Sequence, residues 1–254
     1  MQSINYESYY FPKEFQIKIF LLRIYLSNNN QGKNNPDKFY MKLDIAGIRK
    51  EYLRKKLSIS ETADNPVEQF NIWLKEAIDS HVPEPTAMCL STVNESGIPS
   101  SRMVLLKDVS NGKFVFYSNY KSRKGRDLEK NSVCSITFFW PELERQVNIS
   151  GKAEIVDPET SDEYFKTRPW SSQIGAWVSP QSTPISSRIV ILREFIMMSA
   201  RYIGRSVPRP PHWGGYAVTP SVLSFWQGRP GRLHDRIQFT LGAEGTWVKE
   251  RIAP

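Results

Sequence analysis

The chain has 254 residues, 40% of them hydrophobic and 12% aromatic, which is enough for a packed core and excludes wholesale disorder. Lys and Arg outnumber Asp and Glu by 34 to 26, and the formal charge of +8 suits an anionic partner: nucleic acid, an acidic membrane surface or a phosphorylated small molecule. The two cysteines, Cys89 and Cys134, lie in separate apolar runs, and three histidines occur without CxxC or HExxH, so buried reduced thiols are expected and neither a disulfide framework nor a metal site is.

Near the N-terminus, "FQIKIFLLRIYL" (15–26) is interrupted by Lys18 and Arg23 and falls short of the roughly 20 residues of a spanning helix. The Asn-rich stretch after it does not resemble a signal-peptide cleavage region. "MKLDIAGIRKEYL" from Met41 reads like an ordinary start of a soluble protein, so residues 1–40 are expected to be an extension outside the functional domain, with a weak amphipathic anchor as the competing reading. An orderly pattern begins at Asn65. In "NPVEQFNIWLKEAIDS", Asn65 is placed to cap a helix, Pro66 suits its first position, and Val67, Phe70, Leu74 and Ala77/Ile78 fall at helical spacing. Trp73 on this helix is read as packing.

Strand-like runs follow at 86–93, 101–107, 113–118, 132–140 and 145–156, separated by turn signals such as "NESG", "DVSNGK" and "WPE". A short basic helix over 122–131 interrupts them. Helices are expected to dominate 158–203, a loop covers 208–215, and strands return at 216–227, 233–240 and 246–252. Consecutive strands at this spacing predict a mainly β fold with helical excursions (α+β), an antiparallel barrel, in one domain over 65–254.

The GxGxxG and GxxxxGK[ST] phosphate cradles are absent, as is a GxSxG elbow. Basic residues instead recur beside hydroxyls: Arg102 and Lys107; Tyr117, Ser118, Arg123 and Lys124; Arg168, Ser171 and Ser172. Arg123 and Lys124 start a predicted helix, where the dipole also favours an anion. Tyr164 and Arg168, four apart on a predicted helix, can reach one ligand. In "FWQGRPGRLHDR" (225–236), an extended 232–236 would project Arg232, His234 and Arg236 from one face, and that charge calls for an anion. These residues indicate a phosphorylated ligand. The rival is nucleic acid, for which "RKEYLRKK" (49–56) and "YKSRKGR" (120–126) are suitable basic runs without a base-reading motif.

The strings "RMVLLK", "FYSNYKSRKG", "LERQVNISGKAE", "YFKTRPWSSQIGAWVS", "WGGY" and "FWQGRPGRLHDR" resemble, in order from about Ile48 to the terminal "RIAP", the pyridoxine/pyridoxamine 5′-phosphate oxidase family. The resemblance implies an FMN-binding split β-barrel, a cytoplasmic homodimer with FMN across the interface. It also implies oxidation of pyridoxine or pyridoxamine 5′-phosphate to pyridoxal 5′-phosphate, with hydride passing to the flavin and O2 leaving as H2O2. By the same resemblance, Arg102, Met103, Val104, Leu105, Tyr117, Ser118, Arg123, Lys124 and Gln146 line FMN. Gln181, Ser182, Trp226 and Arg236 join them from the partner subunit. Lys107, Tyr164, Arg168 and Ser172 meet the substrate, and Arg232 and His234 hold its ring against the flavin as the catalytic pair. Residues 41–64 match a mobile segment that folds over the substrate, which makes Tyr52 and Arg54 candidates. No metal is implied, and an alternative within the fold is a flavin-binding reductase. Arg102 and Lys107 have opposite parity in an ideal strand, so two faces or a bulge are expected. Three departures stand out: Pro180 before Gln181, Pro230 before Arg232, and an unusually apolar helix around 190–207.

Overall fold

The computed structural model describes residues 56–254. The expectations for residues 1–40, for most of 41–64, and for Tyr52 and Arg54 lie outside the described residues.

Helix α1 (Pro66–Asp79) forms as its sequence dictates. The Asn65 side-chain oxygen accepts from the N–H groups of Val67 (2.8 Å) and Glu68 (3.3 Å), and Pro66 occupies the first turn, where a missing N–H costs nothing. Its buried face carries Phe70, Trp73 and Ala77. Phe70 meets Phe114 and Phe138, each at 4.9 Å between ring centres, and Trp73 stands edge-on to Phe225 at 5.2 Å. Trp73 is therefore core, as expected.

The strands are β1 (Ala87–Val93), β2 (Pro99–Leu105), β3 (Asp108–Ser110), β4 (Lys113–Asn119), β5 (Val133–Trp140), β6 (Arg145–Ile155), β7 (Trp213–Gln227), β8 (Asp235–Leu241) and β9 (Trp247–Arg251). All pair antiparallel in the order β2-β1-β5-β6-β7-β4-β3, with β8 on β7 and β9 on β8. The sheet forks at β7. One edge of β7 pairs with β6 over Tyr216–Gln227, while the other takes β4 over Trp213–Val218 and β8 over Val222–Gln227. Between these halves the register slips by one residue opposite Ser150/Gly151, where Pro220 has no N–H to give to a ladder. The expected mainly antiparallel β architecture holds, and structural relatives described below place it among split barrels.

Helices α2 (Arg123–Lys130), α3 (Pro158–Thr167), α4 (Trp170–Val178) and α5 (Arg188–Tyr202) are the excursions. The last three gather around a second, smaller core of Phe165, Ile174, Ala176, Val207 and Trp213. Phe195 and Met198 of α5 pack on it, while Ile189, Leu192, Ile196 and Met197 remain exposed.

Three elements differ from the sequence reading. "DVSNGK" is not all turn: Asp108–Ser110 is a strand, and only Asn111 and Gly112, both at positive φ, make the two-residue hairpin loop. β7 starts inside the predicted 208–215 loop, since Trp213, Gly214 and Gly215 pair with Asn119, Ser118 and Tyr117. Gly214 reads locally as a breaker, yet a Cβ there would collide with the Tyr120 hydroxyl, so the glycine makes room for the Tyr120 side chain. The third difference is at 232–234 and is described with the site.

Between Leu57 and Asp64 the chain is laced to the last two strands. Leu57 N–H donates to Asp235 (3.1 Å), Arg251 donates to the Leu57 carbonyl (2.9 Å), and Lys249 reaches Thr62 and Asp64. Cys134 is buried, which pushes its thiol up to about 12, whereas Cys89 is only half-buried; both are free thiols. Among the described residues no helix is long and apolar enough to cross a membrane.

Candidate functional site

A cavity of about 760 Å3 opens between β2, the end of β4, the start of α2 and the α3–α4 corner. It is lined by Arg102 to Leu105, Lys107, Tyr117, Ser118, Arg123, Lys124, Tyr164, Arg168, Ser172, Gln181 and Ser182. Such a volume lies in the ordinary range of small-molecule sites, about 300–1,000 Å3. The parity problem of Arg102 and Lys107 resolves without a bulge in β2. The strand ends at Leu105, Leu106 turns into the core with its N–H on the Thr86 carbonyl, and Lys107 N–H goes to Val115. Lys107 is thus freed from the alternation.

One end of the cavity is cationic and partly dry. Ser122 caps α2 through a hydrogen bond from Gly125 N–H, which brings Arg123 and Lys124 to the helix N-terminus. Gly125 packs so tightly under the Tyr120 carbonyl that a Cβ would overlap it. The Lys124 ammonium is buried and donates to Ser118 Oγ (2.9 Å), Ser122 Oγ (3.1 Å) and Gln181 Oε1 (3.0 Å), all uncharged acceptors. Burial, with the nearby Arg102 charge, lowers its pKa to about 8. The Arg102 guanidinium donates to Thr92 Oγ1 (2.7 Å), Ser100 Oγ (2.6 Å) and the Leu90 carbonyl (3.3 Å). Burial lowers the Arg102 pKa too, opposed by Asp127.

The "YKSRKGR" run is consequently not a uniform basic stripe. Lys121 and Arg126 face solvent, while Lys124 turns inward. That division suits a small anion better than a nucleic-acid backbone.

Aromatic rings form another wall. Tyr117 stacks on Tyr164 at 3.9 Å between centres, and both lie nearly parallel to Trp213. Arg168 is not on α3 proper but is its C-cap, since Pro169 disfavours helical backbone in the residue before it. Gln173 donates to the carbonyls of Phe165, Lys166 and Arg168, fixing the corner that carries Ser172. The Arg168 guanidinium sits over Trp213 at 4.5 Å, and its Nη1 is buried with no acceptor in the protein. Burial pushes Tyr117 and Tyr164 up and Arg168 down. Trp213, Ser100, Ser101, Asn119 and Ser179 also line the cavity and were absent from the sequence-based set. Only Trp213 had a local signal, the aromatic beside the Gly pair.

Gln181 and Ser182 reach the cavity from their own chain, which departs from the expectation that a partner brings them. Pro180 opens a tight turn in which Thr183 N–H returns to the Pro180 carbonyl and Ser182 takes φ 67°; this turn directs Gln181 at Lys124.

The remaining candidates gather elsewhere. Gln146, Trp226 and Arg236 are directly opposite one another across β6, β7 and β8, so their side chains share the sheet face away from the core. Arg236 Nε donates to Ser224 Oγ (2.9 Å). The extended 232–236 reading is overturned: β8 begins at Asp235, and Pro230–Arg232 is a short 3-10 turn. Gly231 and Arg232 both have positive φ (64° and 62°), so side-chain alternation does not apply to Arg232. His234 nevertheless packs 4.6 Å from Trp226, and Arg229 N–H donates to its Nδ1 (3.1 Å), which fixes the neutral ring's proton on Nε2. None of these five residues lines the cavity of the same chain.

Comparison with known proteins gives this geometry a family. Residues 74–199 match the model described as pyridoxamine 5′-phosphate oxidase, and residues 213–254 match the pyridoxine 5′-phosphate oxidase C-terminal dimerisation region, which supports a homodimer. A pyridoxine/pyridoxamine 5′-phosphate oxidase of Bacteroides thetaiotaomicron is 54% identical over 83% of this chain and 99% of its own. One from Chromobacterium violaceum is 54% identical over 84% of this chain and 100% of its own. Among solved structures, PhzG from Burkholderia lata, in complex with tetrahydrophenazine-1-carboxylic acid, superposes with a TM-score of 0.73 at 27% identity, covering 77% of this chain and 95% of that one. An FMN-binding, pyridoxamine 5′-phosphate oxidase-related protein of Nostoc punctiforme shares the fold, with a TM-score of 0.60 at 14% identity over 74% of this chain and 97% of that one. With both halves of the domain matched and relatives this similar along nearly their whole length, the chain belongs to the pyridoxamine 5′-phosphate oxidase family.

Proposed function

We propose that this chain is an FMN-dependent oxidase, converting pyridoxine 5′-phosphate and pyridoxamine 5′-phosphate to pyridoxal 5′-phosphate with O2 reduced to H2O2 and, for the amine, water consumed and ammonia released. The observation that carries the reading is a cavity lined, among the described residues, by two separate cation sets and by no carboxylate. Lys124 is buried among neutral oxygens beside Arg102, and Arg168 has a buried nitrogen without an acceptor. Two phosphates, one from the cofactor and one from the substrate, match these sets.

The residues fit FMN. Arg102, Arg123 and Lys124, with Ser118, would hold its phosphate, and Met103, Val104, Leu105, Tyr117, Gln181 and Ser182 would line the rest. When bound, FMN supplies the two-electron acceptor on which the oxidation depends. The chain's own groups bind and orient. Lys107, Arg168 and Ser172 would take the substrate phosphate, with Tyr164 against its ring. Arg232 and His234, assigned as the catalytic pair, would hold the reacting carbon in place, His234 with its proton kept on Nε2. Tyr52 and Arg54 would close over the substrate.

In this reading Gln146, Trp226 and Arg236 complete the flavin site of a second copy, FMN lies at the interface of a two-fold dimer, and the location is cytoplasmic. Residues 1–40 stand outside the oxidase domain, and 41–64 form its mobile leading segment. The exposure of Met103, Leu105 and Phe139 on the outward sheet face supports such a covering copy.

The test is anaerobic mixing of the FMN-loaded protein with pyridoxamine 5′-phosphate, then admission of O2. The flavin absorbance is expected to bleach and then recover, with stoichiometric pyridoxal 5′-phosphate. A flavin that stays oxidised in the first step refutes the reaction.

A further inference from the structure

Asp127 is a buried carboxylate on α2 that carries none of the assigned roles. Its Oδ2 accepts from Thr92 Oγ1 (2.7 Å) and from Ser100 Oγ (3.2 Å). The same two hydroxyls accept from Arg102, Thr92 from Nη1 (2.7 Å) and Ser100 from Nη2 (2.6 Å), while the direct Arg102–Asp127 approach is only 3.9 Å. A hydroxyl has one hydrogen to give. Each of these is drawn to the carboxylate, which leaves the oxygen lone pairs facing the guanidinium. Asp127 therefore sets the polarity of both bridges. Remove the carboxylate, and either hydroxyl can rotate its hydrogen toward Arg102, turning an acceptor into a repelling donor.

The placement matters as much as the bonding. Asp127 lies one helical turn after Arg123 and Lys124, on the helix that brings them to the cavity, whereas Arg102 comes from β2. Thr92 belongs to β1 and Ser100 to β2, so the four-residue network ties the helix to two strands. We propose that Asp127 is a positioning residue for the anion-binding end of the cavity, acting through Thr92 and Ser100 to aim the Arg102 guanidinium at the point that Arg123 and Lys124 also address. The proposal rests on the reading of that end as the FMN phosphate site.

Its test is a flavin titration, read by fluorescence quenching, of FMN against riboflavin, which lacks the phosphate. Wild-type protein is expected to prefer FMN. Asp127→Ala should weaken FMN about tenfold while changing riboflavin less than twofold, as for the loss of hydrogen-bond support to a charged group. Asp127→Glu should restore part of the preference. In an Arg102→Ala background, Asp127→Ala should change the FMN-to-riboflavin ratio no further. Thr92→Val and Ser100→Ala, each removing one bridge, should lower the ratio in the same direction and carry the test if Asp127→Ala does not fold. Equal weakening of both flavins, or an unchanged ratio, overturns the proposal and leaves Asp127 as a structural tie. A wild-type protein without any preference for FMN would overturn the phosphate-site reading, and the proposal with it.

Discussion

On the proposed reading, Lys124 gives flavin binding a pH dependence whose sign and size follow from its surroundings. Ordinary lysine titrates near 10.4, and burial pulls this one down to about 8 in the ligand-free protein. Below pH 8 the ammonium is charged and ready for a phosphate. Above it, the free protein has lost the proton that the complex requires, so binding must take one up. FMN affinity should then fall about tenfold per pH unit above 8, which makes Kd at pH 9 about ten times that at pH 7. Tyr117 and Tyr164 are raised by burial and stay neutral in this window. Calorimetric titration in two buffers of different ionisation enthalpy should find proton uptake at pH 8.5 and little at pH 7. Riboflavin should show no such slope, and Lys124→Met should weaken FMN about 10- to 100-fold at pH 7 and flatten the profile. Unfolding does not mimic the effect. A lysine with a depressed native pKa binds more protons when unfolded, so its contribution to ligand-free stability rises between pH 8 and about 10.4. A flat FMN profile for the wild type, or an equal slope for riboflavin, refutes the reasoning.

Other perturbations separate the ligands. Arg168→Met should raise KM for pyridoxamine 5′-phosphate at least tenfold while leaving the FMN Kd within about twofold, because the proposed reading assigns the unpartnered Nη1 to the substrate phosphate; steady-state kinetics beside flavin titration checks this. Arg232→Ala should impair substrate handling much more than FMN retention, and equal losses would contradict its assignment. Deleting residues 1–40 should leave kcat and KM unchanged, and an inactive truncation would make that segment part of the enzyme.

What the sequence disclosed depended on how local the cause was. The N-terminus of α1 is written in adjacent residues, Asn65 and Pro66, and could be read directly. Strand alternation in β1, β5 and β6 was equally legible, because burial of one face enforces it. β7 begins early because Trp213–Gly215 find partners in β4, nearly a hundred positions away, and two glycines hide that pairing from local inspection. At 232–234 the error had the opposite cause: a pattern that looked alternating was broken by two consecutive positive-φ residues. For the site, charge and hydroxyl content pointed to segments that the structure brings to one cavity, and the helix-start position set Arg123 and Lys124 apart from Lys121 and Arg126. That Lys124 is buried while Lys121 and Arg126 face solvent was not legible, because it depends on the packing of α2 against the sheet. The separate roles of Arg232, His234 and Arg236 came from family resemblance, since alternation grouped them by a geometry the chain does not have.

The proposed reading divides the site between two places along β7. Trp213 stands at the cavity and Trp226 in the row with Gln146 and Arg236, at opposite ends of one strand. At about 3.3 Å per residue, their separation along the strand is about 40 Å. None of Gln146, Trp226 and Arg236 lines the cavity of the same chain. Both ends fall inside the segment that matches the dimerisation region. On the proposed reading the row serves the flavin site of another copy, and two-fold symmetry then provides two equal composite sites. The fork in the sheet makes this geometry possible: β4 leaves β7 where the cavity begins, and β8 joins it where the row begins. A continuous partner along that edge would have given the strand one environment; the fork gives it two, one for each half of the site.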